Sequence, residues 1–207
     1  MTVYIHLVTL HLSDSTWLGD FDQAISLLNR ARKLVEDTPD DQFLPGILGD
    51  LGEIARFQGD FDQASTLYKK NLSLPAADSE KVLSRCGLSI VERIRGQIAE
   101  ARKNLISALQ FLKTEGDWVF SPIVITYVAC FAVDQQLIRQ ATFLFGWIES
   151  HNKIKGHVQQ PVYKNEFDHY LTQAREGLSD SEFNAAWVEG QSMSQEQVLA
   201  LAMEVLQ

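Results

Sequence analysis

Cysteine is scarce in this chain: Cys86 and Cys130 are the only two among 207 residues, and each lies in an apolar stretch. Two thiols so placed make no disulfide framework and point to a reducing compartment, so a cytoplasmic location is expected. Five prolines and twelve glycines interrupt the chain. So few breaks favour long helices over a many-turned β-fold. Basic charge is also short, with 18 Lys and Arg against 27 Asp and Glu, a net charge of −9. The densest basic group is only Arg30, Arg32 and Lys33. Nucleic-acid binding needs a basic face to neutralise phosphates, so no direct contact with DNA or RNA is expected. An acidic surface likewise disfavours anionic membranes. The longest apolar run, Trp118 to Val133, has 16 residues and contains Ser121, Pro122 and Thr126. That is short of the roughly 20 residues a membrane span requires, and it reads as a buried helix. The first residues, MTVYIHLVTLHLSDS, have no basic leader and no small-residue cleavage site, so no signal peptide is expected.

Catalytic and metal-binding patterns are missing too. The histidines are His6, His11, His151, His157 and His169; none forms HExxH and none pairs with a cysteine at ligand spacing. Asp20-Phe21-Asp22 and Asp60-Phe61-Asp62 lack the further oxygen ligands and distal Glu of a calcium loop. There is no GxSxG elbow and no GxxxxGK[ST] phosphate loop. The expectation is a chain with no cofactor, no metal and no catalytic activity.

What the chain does have is a repeat. Gly19-Asp20-Phe21-Asp22-Gln23-Ala24 recurs unchanged as Gly59-Asp60-Phe61-Asp62-Gln63-Ala64, 40 residues later. Gly96-Gln97-Ile98-Ala99-Glu100-Ala101 follows after 37 residues, and Gln136-Leu137-Ile138-Arg139-Gln140-Ala141 after another 40. Four copies in register mark a repeat architecture. Glycine takes the left-handed conformation that ends a helix. Asp20 and Asp60 then cap the next helix, with Gln23 and Gln63 placed for a capping box. Ala24 and Ala64 let two helices approach, and Phe21 and Phe61 can seal the turn. The motif reads as helix, turn, helix.

Upstream, Leu48, Leu51, Gly52 and Ala55 keep the spacing of an amphipathic helix. The run Leu48-x-x-Leu51-Gly52-x-x-Ala55 with Gly59-Asp60-Phe61-x-x-Ala64 resembles a tetratricopeptide repeat, with Leu and Ala in place of two bulky aromatics. The close-packing site is Ser89 in the third repeat and Ala129 in the fourth; in the first it is Leu12, beside His11 and Ser13. The first helix is therefore either degenerate or the stub of a longer array. Helices are expected near 2–17, 21–36, 43–57, 61–73, 79–95, 98–114, 120–134 and 138–152. Thr38-Pro39-Asp40, Gly59-Asp60, Leu74-Pro75, Gly96, Gly116-Asp117 and Gly156 mark the turns.

Past Gly156 the period stops. Pro161 suits a first helical turn, and Tyr163, Phe167, Tyr170, Leu171 and Ala174 keep helical spacing. Ser179 with Glu182 forms a capping box before Phe183, Ala186 and Trp187, and Gly190 is read as the stop of that helix. Ser194 with Gln197 forms another box before Val198, Ala202 and Val205. The expected fold is all-α: a right-handed superhelical solenoid of four helix pairs over 1–156. Capping helices over 157–207 then cover its apolar end within the same continuous domain.

The tail also resembles the closing segment of large bacterial regulators. These are LuxR-type and AfsR-type transcription factors, related signal-transduction ATPases, and sensor-fused cyclases and kinases. The residues are Ala141-x-x-Leu144-x-Gly146, Ala174-Arg175, Phe183, Ala185-Ala186-Trp187-x-Glu189-Gly190, and Ser194-x-Glu196-Gln197 with Ala200. That resemblance implies the sensor or scaffold part of such a regulator, without its ATPase or DNA-reading module.

In the fold that the repeat resembles, the first helix of each pair lines a concave surface. This places Gly49, Glu53 and Arg56 there, then Cys86, Ile90 and Arg93, then Thr126, Cys130 and Val133. Arg56 and Arg93 could then meet a ligand carboxylate. Alternatively they pair with Glu53 and Glu92, and the apolar end packs on the C-terminal helices. The expected partner is a protein, a peptide or an effector domain of the same parent protein. A second reading is a small-molecule receptor with a pocket around Ile90, Thr126 and Cys130. A third is a scaffold that self-associates through its first helix.

Overall fold

The computed structural model describes residues 21–36, 43–115, 120–155 and 161–207. Among them every regular element is a helix: α1 Phe21–Glu36, α2 Leu44–Phe57, α3 Phe61–Ser73, α4 Asp78–Ile94 and α5 Ile98–Glu115. These are followed by α6 Ser121–Asp134, α7 Ile138–Lys155, α8 Pro161–Glu176, α9 Asp180–Gln191 and α10 Gln195–Val205. The protein is all-α and built from helix pairs, as the repeat implied, with helix ends within three residues of those read from the sequence. The expected helix near 2–17, with Leu12, Gly19 and Asp20, lies outside the described residues, as do the turn signals at Pro39, Gly116 and Gly156.

The repeated turn keeps one backbone solution in its second and fourth copies. At the end of α2, Gly59 takes φ +80°. Its N–H donates to the Arg56 carbonyl at 3.0 Å, and that of Asp60 to the Ala55 carbonyl at 2.9 Å. This pair of bonds satisfies carbonyls that the helix end leaves without partners. Asp60 then caps α3, its Oδ1 accepting from the Gln63 N–H at 3.0 Å. The fourth copy makes the same two bonds after α6, from Gln136 to Val133 at 2.9 Å and from Leu137 to Ala132 at 2.8 Å. Gln136 holds φ 62° without being glycine. The worn copy has kept the backbone and lost the residue that adopts it without strain.

The chain divides into two compact units, Met1–Arg95 and Gly96–Gln207. In the first, Ala24, Leu28, Ala31 and Val35 of α1 join Leu48, Leu51, Ile54 and Ala55 of α2 in one core. Ala64, Leu67 and Tyr68 of α3 and Leu88 and Val91 of α4 complete it. Tyr68 is the keystone. A Cβ built on Gly52 would come within 2.5 Å of its ring, and one on Gly87 within 2.5 Å of its hydroxyl. Only glycine on α2 and on α4 leaves room for that ring between them. Asn71, also on α3, donates from Nδ2 to the Pro45 carbonyl at 2.9 Å and to Ser84 Oγ at 2.7 Å, joining three helices through one buried amide.

In the second unit α6 is buried along most of its length, from Ser121 and Pro122 through Tyr127 to Val133. A helix apolar on all sides belongs inside a protein. The C-terminal helices pack here: α8 against α6 and α7, α9 against α7 and α8, and α10 against α5, α6 and α7. The expected capping boxes form at Ser179 with Glu182 and Ser194 with Gln197. That of Asp60 with Gln63 is half made, since the Asp60 N–H donates to the Ala55 carbonyl instead. Gly190 is not a helix stop. It lies inside α9, which runs on to Gln191 and is capped by Ser192. A Cβ on Gly190 would strike the Phe143 carbonyl oxygen, and one on Gly146 would sit 2.5 Å from the Trp187 carbonyl oxygen. The two glycines face each other's helix, so α7 and α9 meet backbone to backbone. Gln191 Nε2 reinforces the contact by donating to Glu149 Oε2 at 2.8 Å.

Candidate partner-binding surface

Helix α2 carries a linked pair of charged side chains. Glu53 and Arg56, one turn apart, form an ion pair at 2.9 Å with side chains only 12% and 5% exposed. The other carboxylate oxygen of Glu53 accepts from the Tyr68 hydroxyl at 2.5 Å. The Arg56 guanidinium carbon sits 4.2 Å from the centre of the Phe57 ring. Phe57 in turn stacks on Phe21 at 6.5 Å, a pairing across two repeats that the sequence reading did not anticipate. Removing one partner of a withdrawn ion pair leaves the other charge uncompensated, typically at about 3–5 kcal/mol. Arg56 is thus a structural as well as an electrostatic residue.

On α4, Cys86, Ile90 and Arg93 are all buried. Burial, and then the neighbouring Glu53 carboxylate, push the Cys86 thiol well above the usual range, with Arg85 pulling the other way. Cys86 stays a protonated thiol and behaves as a small apolar side chain. In the second unit Thr126 is half-buried, with Oγ1 donating to the Pro122 carbonyl at 2.7 Å, while Cys130 and Val133 are buried. The repeat positions Ala24, Ala64, Ala101 and Ala141 are fully buried, and Gly96 takes φ +74°.

The accessible part of α2 lies one turn and two turns before Glu53. Gly46 is exposed, with nothing within 4 Å of where its Cβ would stand. Gly49 is half-buried, its Cβ position 3.5 Å from Asn71 Nδ2 and Ser84 Oγ. Asp50 is exposed in surface area, yet its carboxyl is raised to about 7, chiefly by the protein mass around it and then by Glu53. The two facts describe a carboxylate reachable by solvent but enclosed by protein, so the full desolvation penalty does not apply to it. Positions 46, 49, 50 and 53 share one side of a helix by the 3.6-residue period. The side is acidic and two of its four residues lack side chains.

Sequence reasoning placed Gly49, Glu53 and Arg56 on this helix but missed Asp50, Tyr68 and Asn71. Tyr68 carried a signal: the one large residue of α3 opposite Gly52. A shallow pocket of about 120 Å³ also lies among α1, α2 and α3, with Asn29, Arg32, Gln58 and Gln63 at its polar lining. It contains none of the expected groove residues. Among the described residues no helix is long and apolar enough to cross a membrane, and no three His, Cys, Asp or Glu residues are grouped to hold a metal ion.

Paired helices, glycine-ended turns and an exposed face on the first helix of a pair define an α-helical repeat module. Comparison with protein families adds that residues 12–75, under a third of the chain, match the tetratricopeptide repeat. Such repeats generally mediate protein–protein interaction and are typically non-catalytic. No curated protein and no solved structure matches the chain.

Proposed function

We propose that the chain is a non-catalytic protein-interaction module that docks a protein or peptide on the α2 face bearing Gly46, Gly49, Asp50 and Glu53. The observation that carries this reading is the combination of a tetratricopeptide match over 12–75 with an accessible, enclosed carboxylate on the first helix of the second pair. Glycine at 46 lets a ligand approach the backbone. Asp50 offers the charge, since the Glu53 carboxylate is engaged by Arg56 and Tyr68. The complementary group on the partner is then a cation.

In the cell the module serves as the sensor or regulatory arm of a bacterial signalling or transcriptional regulator in the cytoplasm. The tail pattern around Gly146, Trp187 and Gly190 supports that placement by its similarity to the closing segments of such regulators. The test is capture of partners by immobilised chain, compared with an Asp50→Arg variant of unchanged circular dichroism. Loss of a partner with Asp50→Arg supports the reading; a set of partners unaffected by it counts against the α2 face.

A further inference from the structure

Helices α9 and α10 are held to the second unit in different ways. Helix α9 is fixed by backbone contact with α7 through Gly146 and Gly190 and by the Gln191–Glu149 bond. Arg175 adds a cation over the Phe183 ring at 4.7 Å. Helix α10 has 11 residues and buries Val198, Ala202 and Val205, with Leu206 just beyond it. These side chains rest on α5, α6 and α7. One polar latch holds its end, Arg102 Nη1 to the Gln207 carbonyl oxygen at 2.5 Å, and that bond is exposed. Its own start is satisfied locally by the Ser194–Gln197 box, so the helix needs no neighbour to complete its N-terminus.

A helix this short is marginal on its own in water, and its order here comes from seating one aliphatic stripe. Segments with few buried contacts and exposed bonds open locally at a fraction of the global free energy. We infer that α10 is a releasable occupant of a helix-binding face on α5, α6 and α7. The ligand class of that face is an amphipathic helix with aliphatic residues at the spacing of Val198, Ala202, Val205 and Leu206. Release leaves α5 to α9 folded and exposes the face. A partner helix of this pattern competes with α10 for it, as an apolar stripe laid in a groove. This inference stands apart from the α2 reading, because its test needs no partner.

Native-state hydrogen exchange on the full chain is the first measurement. Amides of residues 198–206 should exchange at least about tenfold faster than those of α7 and α9, with a shared opening rate. Exchange of α10 in the same cooperative step as α7 and α9 overturns the inference. The second measurement uses a labelled synthetic peptide of residues 194–207 and the full chain carrying Ala202→Glu, which cannot seat its own α10. The peptide should bind this variant at least about tenfold tighter than the unaltered chain. Equal or absent binding, with α5 to α9 still helical by circular dichroism, overturns it. Should Ala202→Glu fail to fold, Arg102→Ala replaces it in the exchange experiment. Faster opening confined to α10 supports the inference, and acceleration spread over α7 and α9 contradicts it.

Discussion

The two units solve the same packing problem by opposite means. In the first, a large side chain fills the space that glycine leaves: Tyr68 of α3 lies between Gly52 of α2 and Gly87 of α4 and ends in a bond to Glu53. In the second, glycine brings backbone against backbone: Gly146 faces the Trp187 carbonyl and Gly190 the Phe143 carbonyl. A side chain can tilt to admit a methyl group, whereas a helix backbone can yield only by moving the whole helix. The first arrangement should therefore fail when the aromatic is removed, and the second when anything is added.

The largest expected effect is Tyr68→Ala, which empties the slot and withdraws the donor from Glu53. Truncations of buried aromatics cost roughly 3–5 kcal/mol, read from the midpoint of urea unfolding. Next is Gly190→Ala, with a loss of about 2–3 kcal/mol from overpacking against the Phe143 carbonyl. Gly87→Ala should lose somewhat less, about 1–2 kcal/mol, because a Cβ there meets the Tyr68 Cζ and hydroxyl and the Glu53 carboxylate, side-chain atoms rather than backbone. Equal losses at 87 and 190 would remove the contrast between the units. The turns allow a comparison of opposite sign. Gln136→Gly should stabilise by about 1 kcal/mol by relieving its left-handed backbone, and Gly59→Ala should destabilise by a similar amount.

The smallest effect concerns Asp50. Its folded pKa, about 7, lies above the roughly 3.9 of an unfolded aspartate. Below pH ~4 both states hold the proton, and the group costs nothing. As pH rises toward 7 the unfolded chain has released it and the folded chain has not, so stability falls across this window. Asp50→Asn should remove that fall, a gain at pH 8 of about 1 kcal/mol once solvent screening at an exposed position is allowed for. Urea titrations of both proteins at pH 4 and pH 8 measure it.

Much of this architecture was legible because the repeat is written in residues with local consequences. Glycine at 59, aspartate at 60 and alanine at 64 each act within a turn of their own position, so helix boundaries followed directly. The capping boxes at Ser179 and Ser194 were readable for the same reason. Gly190 misled because a helical glycine is ambiguous along the sequence. Whether it ends a helix or admits a neighbour depends on Phe143, 47 residues away. Tyr68 and Asn71 were missed on similar grounds, since their partners lie on other helices. On the proposed face, the resemblance to a tetratricopeptide repeat supplied Gly49 and Glu53. The Arg56–Glu53 pair was one of its two alternatives and is the one that forms. The Tyr68 bond to Glu53 was not foreseen, and together the two contacts leave Asp50 as the accessible carboxylate of that face.

Docking on α2 is tested most directly by site-specific crosslinking. A benzophenone label on Gly46→Cys stands on the exposed face, and one on Val188→Cys, where valine is 63% exposed on α9, serves as the reference. The native Cys86 and Cys130 are buried and will label poorly. Illumination in lysate of the source cells should attach a discrete protein or peptide at position 46 and not at 188, and Asp50→Arg should abolish it. Attachment at both positions alike, or none at 46, would contradict the account.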